Sequence, residues 1–258
     1  MATQRIRSRF ELTDRVAIVT GSSKGIGEAM ARGLAEFGAR VIISSRSQEA
    51  VDAIAEQYRA DGLQATGIAC HVGDAEDRKR LIEQTITTYG RLDILINNAA
   101  TNPYFGPVEG LTPAAYQKTL DVNLTAALEL SNLALPHLRS AGGGSVVHIS
   151  SVEGLHANPN FAAYNISKAG LIMLGKSQAA EWARDNIRVN VICPGLVKTK
   201  LSRALWEDEQ MEAQMKKTIP LRRMATPDEV AGVAAYLCSD AASYVTGSVV
   251  TVDGGMIG

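Results

Sequence analysis

The chain has 258 residues, a formal net charge of −1, and 46% hydrophobic against 21% charged residues. It is long enough to bury a large core in one domain, and too neutral to draw in nucleic acid or a membrane surface, so neither is expected as a partner. Three widely spaced cysteines (Cys70, Cys193, Cys238) argue against a disulfide framework or zinc site, and no apolar run reaches the roughly 18 residues of a membrane span.

Residues 1–14 read as a solvated N-terminal arm, because no apolar stretch of signal-peptide type follows Arg5, Arg7 and Arg9. With no peroxisomal tripeptide at 256–258, a cytoplasmic location is expected. From residue 15 to 258 the pattern is strand, turn, helix, repeated. Short apolar runs at 15–20, 41–44, 64–69, 93–97, 145–149, 187–192 and 249–252 predict seven strands. Helical periodicity fills 26–37, 48–59, 75–89, 112–139, 162–184 and 227–238. Nearly all-apolar strands alternating with helices predict a single α/β domain of the Rossmann type, a doubly wound parallel sheet covered on both faces.

The turn after the first strand, Thr20-Gly-Ser-Ser-Lys-Gly-Ile-Gly27, has the context of a dinucleotide-binding loop. Gly21 permits the tight turn, Gly25 lets backbone approach a pyrophosphate, and Gly27 allows close helix–strand packing. Ser22, Ser23, Lys24 and Ile26 complete the phosphate cradle at the helix N-terminus. The same segment also fits the G-x-S-x-G elbow of serine hydrolases, with Ser23 as nucleophile, although the first strand is the wrong place for it and Gly27 would be superfluous. At the end of the second strand, where an NAD-preferring domain carries an acid, the chain has Ser45 and Arg46. With Lys24 these suit a 2′-phosphate, so NADP(H) is expected over NAD(H).

Tyr164 and Lys168 are spaced i, i+4 on one predicted helix face. Ser151 lies 13 residues upstream of Tyr164, just past an apolar strand, and Asn97-Asn-Ala99 follows another strand at the same sheet edge. Together with the glycine turn, Asn123 in Asp-Val-Asn-Leu, and Pro194-Gly195, these motifs resemble the short-chain dehydrogenase/reductase family over nearly the whole chain, from about 15 to 255. Cys70-His-Val-Gly-Asp74, Asn102-Pro-Tyr-Phe-Gly106 and the segment from Gly195 to Trp206 further resemble its NADP-dependent carbonyl/retinal reductases.

The resemblance implies a role for each residue. Tyr164 would be the general acid in reduction and the base in oxidation. Lys168 would favour the phenolate and hold the nicotinamide ribose, Ser151 would bond the substrate oxygen, and Asn123 would hold a water joining Lys168 to solvent. His71 and Val72 would flank the adenine, Asn97 and Ala99 the cofactor channel, and Pro194, Gly195, Val197 and Thr199 the carboxamide. Two residues depart from the family pattern: His71 stands in place of the usual Asp, and Ala100 in place of Gly, with a small shift of that turn expected.

The segment from about 196 to 225 interrupts the alternation with Leu201, Leu205, Trp206, Met211 and Met215, as a substrate lid or as sheet packing. With Leu155, His156, Phe161, Tyr104 and Phe105 it predicts a roomy apolar pocket for medium-sized or bulky ketones and aldehydes. Glu153 is a polar exception, either a substrate selector or a solvent-facing acid. The expected activity is carbonyl reduction. Alternatives are a 3-oxoacyl thioester reductase, an NAD-dependent alcohol dehydrogenase, and, more remotely, a non-catalytic NADP sensor. The resemblance also implies a homotetramer formed through helices near 112–139 and 162–185 and the C-terminal strand region.

Overall fold

The computed structural model describes residues 5–200, 202 and 206–257. Seven strands form one sheet: β1 (Val16–Thr20), β2 (Arg40–Ser45), β3 (Ala65–Ala69), β4 (Ile94–Asn97), β5 (Gly144–Ile149), β6 (Ile187–Pro194) and β7 (Val249–Val252). Every pairing is parallel, in the order β3-β2-β1-β4-β5-β6-β7. This is the expected Rossmann-type α/β fold.

Strand period explains the two layers. Ala17 and Val19 on β1, with Ile94 and Ile96 on β4, face α1 (Gly25–Glu36), α2 (Gln48–Ala60) and α8 (Pro227–Cys238). Ile18 and Leu95 point the other way, onto α3 (Ala75–Tyr89), α5 (Ala126–Ser140) and α6 (Ala162–Trp182). Because both faces are covered, the strands read as continuous apolar runs rather than alternating ones. Each large aliphatic side chain removed from water here contributes about 2 kcal/mol.

The order reverses between β1 and β4. The loops leaving those strands diverge and leave a crevice at the carboxyl edge of the sheet, the general position of ligand sites in such folds.

Two elements differ from expectation. The single helix expected at 112–139 is broken: α4 (Pro113–Leu120) passes through a π-helical turn, Asp121–Thr125, into α5. The segment 196–225 is closed at its base by a bridge from Val197 to Ala225 and carries α7 (Glu209–Thr218). Leu201 and Leu205 lie outside the described residues.

In the N-terminal arm residues 5–7 are exposed, whereas Arg9 and Phe10 are docked on the body and Leu12 is buried. Arg9 donates to the Asp240 carbonyl at 2.8 Å and to Ser243 Oγ at 2.6 Å, and the Phe10 ring sits 6.3 Å from Tyr236 and 6.5 Å from Phe37. No described helix is long and apolar enough to cross a membrane.

Candidate active site

The glycine turn takes its shape from left-handed backbone at Gly21 (φ 67°) and Gly25 (φ 63°), where a Cβ would be strained. A side chain at Gly27 would collide with the Gly21 carbonyl oxygen and the Asn98 amide. Ser22 is turned inward: its hydroxyl donates to the Val19 carbonyl at 2.6 Å and accepts from the Ser44 N–H at 2.9 Å. It therefore shapes the turn with its side chain and has no hydroxyl left to face the crevice. Lys24 immediately precedes α1 without a side-chain cap, and Lys24 and Arg46 are both exposed, with Ser45 half-buried beside Arg46.

The Asn97-Asn-Ala segment is pinned against this turn. Thr20 Oγ1 accepts from the N–H groups of Asn98 (3.0 Å) and Ala99 (3.1 Å), and the Asn98 amide donates to the carbonyls of Thr20 (2.8 Å) and Gly21 (3.2 Å). Asn98, absent from the sequence candidates, is the clamp. Its signal was present in the duplicated Asn, but which of the two side chains faces the turn depends on how the strand ends. Asn97 points the opposite way, donating to Ser131 Oγ (3.1 Å) and lying 3.2 Å from His148 Nδ1. Burial pushes the His148 pKa down to about 4, so the ring is neutral; Nδ1 accepts from Asn97 and Nε2 donates to Gln178 Oε1 at 2.8 Å. With both ring nitrogens engaged, His148 offers no base to a Ser23 nucleophile. Ala100 is not among the residues at positive φ, so its methyl costs no backbone strain.

His71 folds back on its own turn, its Nδ1 accepting from Gly73 N–H (3.1 Å) and its N–H donating to Asp77 Oδ2 (2.8 Å), beside a buried Val72. Thr199 faces the glycine turn: a Cβ at Gly25 would stand 3.5 Å from the Thr199 methyl. Trp206 Nε1 donates to the Thr199 carbonyl at 3.1 Å, which joins the 196–225 segment to this wall. The turn, the 97–99 segment and the stretch from Pro194 to Thr199 thus line one crevice. Its unfilled glycine backbone, helix N–H groups and flanking cations match a long dianionic dinucleotide.

Beyond it stand Tyr164, Lys168 and Ser151. Tyr164 and Lys168 occupy successive turns of α6, with Lys168 Nζ 5.4 Å from the Tyr164 ring centre. Lys168 is 2% exposed, and its ammonium donates to the Ile149 carbonyl at the end of β5 at 2.8 Å. Burial pushes its pKa down to about 8. Tyr164 is pushed up to about 12, first by burial; the Ser151 hydroxyl beside it pulls the other way, and the Glu153 carboxylate adds to the rise. In the protein alone, Lys168 is therefore not what sets the phenol: desolvation dominates, and Tyr164 is firmly protonated at neutral pH.

Asn123 sits in the π turn and is nearly fully bonded. Its Oδ1 accepts from Thr101 N–H (2.8 Å), while its amide donates to the Thr101 carbonyl (3.0 Å) and Ser167 Oγ (3.0 Å). Ser167 in turn donates to the Tyr164 carbonyl at 2.8 Å. Asn123 ties the loop after β4 to the helix that carries Tyr164.

Of the expected substrate contacts, Ser151 and Glu153 stand with Tyr164. Leu155 is 44% exposed at the rim. Phe161 lies 6.2 Å from Tyr164 and edge-on to Phe105 at 4.9 Å, giving one aromatic wall. The described residues contain no cluster of metal-ligating type.

Three comparisons bear on this arrangement. A family model described as enoyl-(acyl carrier protein) reductase matches residues 21–257. The chain is 45% identical to human dehydrogenase/reductase SDR family member 4 over 99% of its own length and 92% of that protein. It superposes with a TM-score of 0.93 on a gluconate 5-dehydrogenase from Burkholderia cenocepacia in complex with NADP and tartrate, at 33% identity and 98% coverage of both chains. The same score is reached on a 7 alpha-hydroxysteroid dehydrogenase with NADH and 7-oxo glycochenodeoxycholic acid, at 31% identity and 96% coverage of both.

Proposed function

The chain belongs to the short-chain dehydrogenase/reductase family of oxidoreductases, whose members use a nicotinamide dinucleotide, and from that premise we propose that it is an NADP(H)-dependent carbonyl reductase of medium-sized to bulky, largely apolar ketones and aldehydes. The observation that carries this reading is the close set of a protonated phenol, a buried ammonium and a serine hydroxyl at the mouth of a dinucleotide crevice.

The glycine turn from Gly21 to Gly27 would hold the pyrophosphate, Lys24, Ser45 and Arg46 the 2′-phosphate, and His71 and Val72 the adenine. Asn97 and Ala99, with Pro194, Gly195, Val197 and Thr199, would hold the nicotinamide end. When bound, the cofactor supplies hydride to the carbonyl carbon or accepts it from the alcohol. In reduction, Tyr164 gives its hydroxyl proton to the carbonyl oxygen, while Ser151 donates a hydrogen bond to the same oxygen as negative charge develops there. Lys168, fixed on the Ile149 carbonyl, stabilises the phenolate left behind. The proton would be restored from solvent by way of Lys168, while Asn123, its side chain already bonded to Thr101 and Ser167, holds the helix in place.

NADP over NAD is supported by two exposed cations and the absence of an acid at the end of β2. The apolar substrate body is supported by the Phe105, Phe161 and Tyr164 wall. The assembly is proposed as a homotetramer, which light scattering tests. The activity is tested by initial rates of NADPH and NADH oxidation over a panel of ketones and aldehydes. Turnover that favours NADPH and bulky apolar carbonyls supports the reading. No turnover, or a preference for short charged substrates, overturns it.

A further inference from the structure

We propose that Lys200 is a further cofactor-binding residue, whose ammonium meets the pyrophosphate that NADPH and NADH share rather than the 2′-phosphate proposed for Lys24, Ser45 and Arg46. This inference rests on the reductase reading and adds to its crevice a cation from the segment after β6.

The turn that carries Lys200 is fixed over the glycine turn. The Thr199 methyl lies 3.5 Å from where a Cβ on Gly25 would stand. Ser202 closes the turn on itself: its hydroxyl accepts from the Thr199 N–H at 3.1 Å, and its own N–H donates to Thr199 Oγ1 at 3.3 Å. At the base of the segment, the Lys198 N–H donates to the Ala225 carbonyl and the Ala225 N–H to the Leu196 carbonyl, both at 2.9 Å. Consecutive Cα atoms are about 3.8 Å apart, so Lys200 starts beside Gly25 with a flexible four-carbon stem to extend from there.

Lys200 is exposed, and its charge is felt on α1. Glu28 stands half-buried in the first turn of that helix. Burial raises its carboxyl pKa, while the Arg32 charge, the Gly25 N–H and the Lys200 charge pull the other way. Arg32 is engaged elsewhere, with Glu36 and Asp61 at 2.9 Å each. The Gly25 N–H is one of the first N–H groups of the helix, which have no intrahelical acceptor and are open to an anion. A carboxylate that senses both this N–H and Lys200 puts the ammonium near the seat of a phosphate.

Sheet order decides which phosphate that is. Ser45 and Arg46 follow β2, on one side of β1, whereas Lys200 arrives from beyond β6, on the other side. From that flank it reaches the middle of a dinucleotide laid across the strand ends, not its 2′-phosphate end. Glu28 also gives the cation a task. A pyrophosphate brought to this turn meets a carboxylate already there, and Lys200 offsets the repulsion while binding the phosphate oxygens.

The test is a set of dissociation constants for NADPH and NADH, read by fluorescence titration on the native protein, Lys200→Met, Glu28→Gln and the double variant. Lys200→Met keeps the stem and removes the charge at an exposed position, where the fold does not depend on it. Both dissociation constants are expected to rise by about tenfold in Lys200→Met, and by as much when the same change is made in Glu28→Gln.

A rise that vanishes in the Glu28→Gln background overturns the proposal, because Lys200 would then only balance Glu28. A rise confined to NADPH also overturns it, by placing Lys200 at the 2′-phosphate. If the native protein binds neither dinucleotide, the reductase reading fails and this inference with it. Native binding of both that Lys200→Met leaves unchanged defeats this inference alone.

Discussion

The Lys168 ammonium lies 5.4 Å from the centre of the Tyr164 ring and is held there by the Ile149 carbonyl at the end of β5. The helix supplies the spacing of the pair and the strand supplies its depth. A charge 2% exposed with one backbone acceptor is expensive to keep, and the cost falls on the folded state.

That cost has a sign and a pH window. Lys168 titrates at about 8 in the fold against 10.5 when free. Below 8 both states hold the proton and the penalty is carried in full, about 3 kcal/mol. Between 8 and 10.5 the unfolded chain holds more protons, so stability rises with pH across that interval. Lys168→Met should therefore be at least as stable as the native chain at pH 7, and its advantage should shrink as pH rises from 8 to 10.5. Urea melts at several pH values check this. A variant several kcal/mol less stable at pH 7 would contradict it.

The same group should shape the rate. Reduction should show kcat/KM that is level below pH 8 and falls above it as Lys168 loses its charge, because this parameter reports the free enzyme. A profile level through pH 9.5 would assign the proton supply elsewhere.

Cofactor choice should reside in one side chain. Arg46→Asp replaces the guanidinium proposed for the 2′-phosphate with a repelling carboxylate, and the NADPH KM should rise by about a hundredfold. The NADH KM should move by less than about threefold or improve. Equal effects on both cofactors would place Arg46 outside the 2′-phosphate site.

Asn123→Ala removes three hydrogen bonds that join Thr101 to α6. A loss of about 2 kcal/mol is expected, which lowers Tm by roughly 5 °C for a chain of this size, together with a large drop in kcat. Differential scanning calorimetry and steady-state rates read the two effects separately. Unchanged Tm and kcat would mean the π turn positions nothing.

The sheet was legible because burial on both faces writes strands as short apolar runs, and the crevice because Gly21, Gly25 and Gly27 leave a backbone signature. The π turn at Asp121–Thr125 was not: it is one short widened turn with helix on both sides and no Gly or Pro to mark it, so the stretch reads as one helix. Asn98 was missed for a related reason, since which of two adjacent asparagines meets the turn is set by the register of β4. The bond from the Asn158 amide to Glu153 Oε1 needs the loop around Asn158, where no period exists to read. Docking of the N-terminal arm rests on Phe10 meeting Tyr236, 226 positions away, a pairing that local patterns do not carry.

The proposed reduction turns on the Tyr164 hydroxyl as proton donor. Its most direct test is Tyr164→Phe, assayed for carbonyl reduction and, separately, for NADPH binding by fluorescence titration. Turnover is expected to fall on the order of a thousandfold with the dissociation constant for NADPH unchanged. Turnover within tenfold of the native enzyme would contradict it.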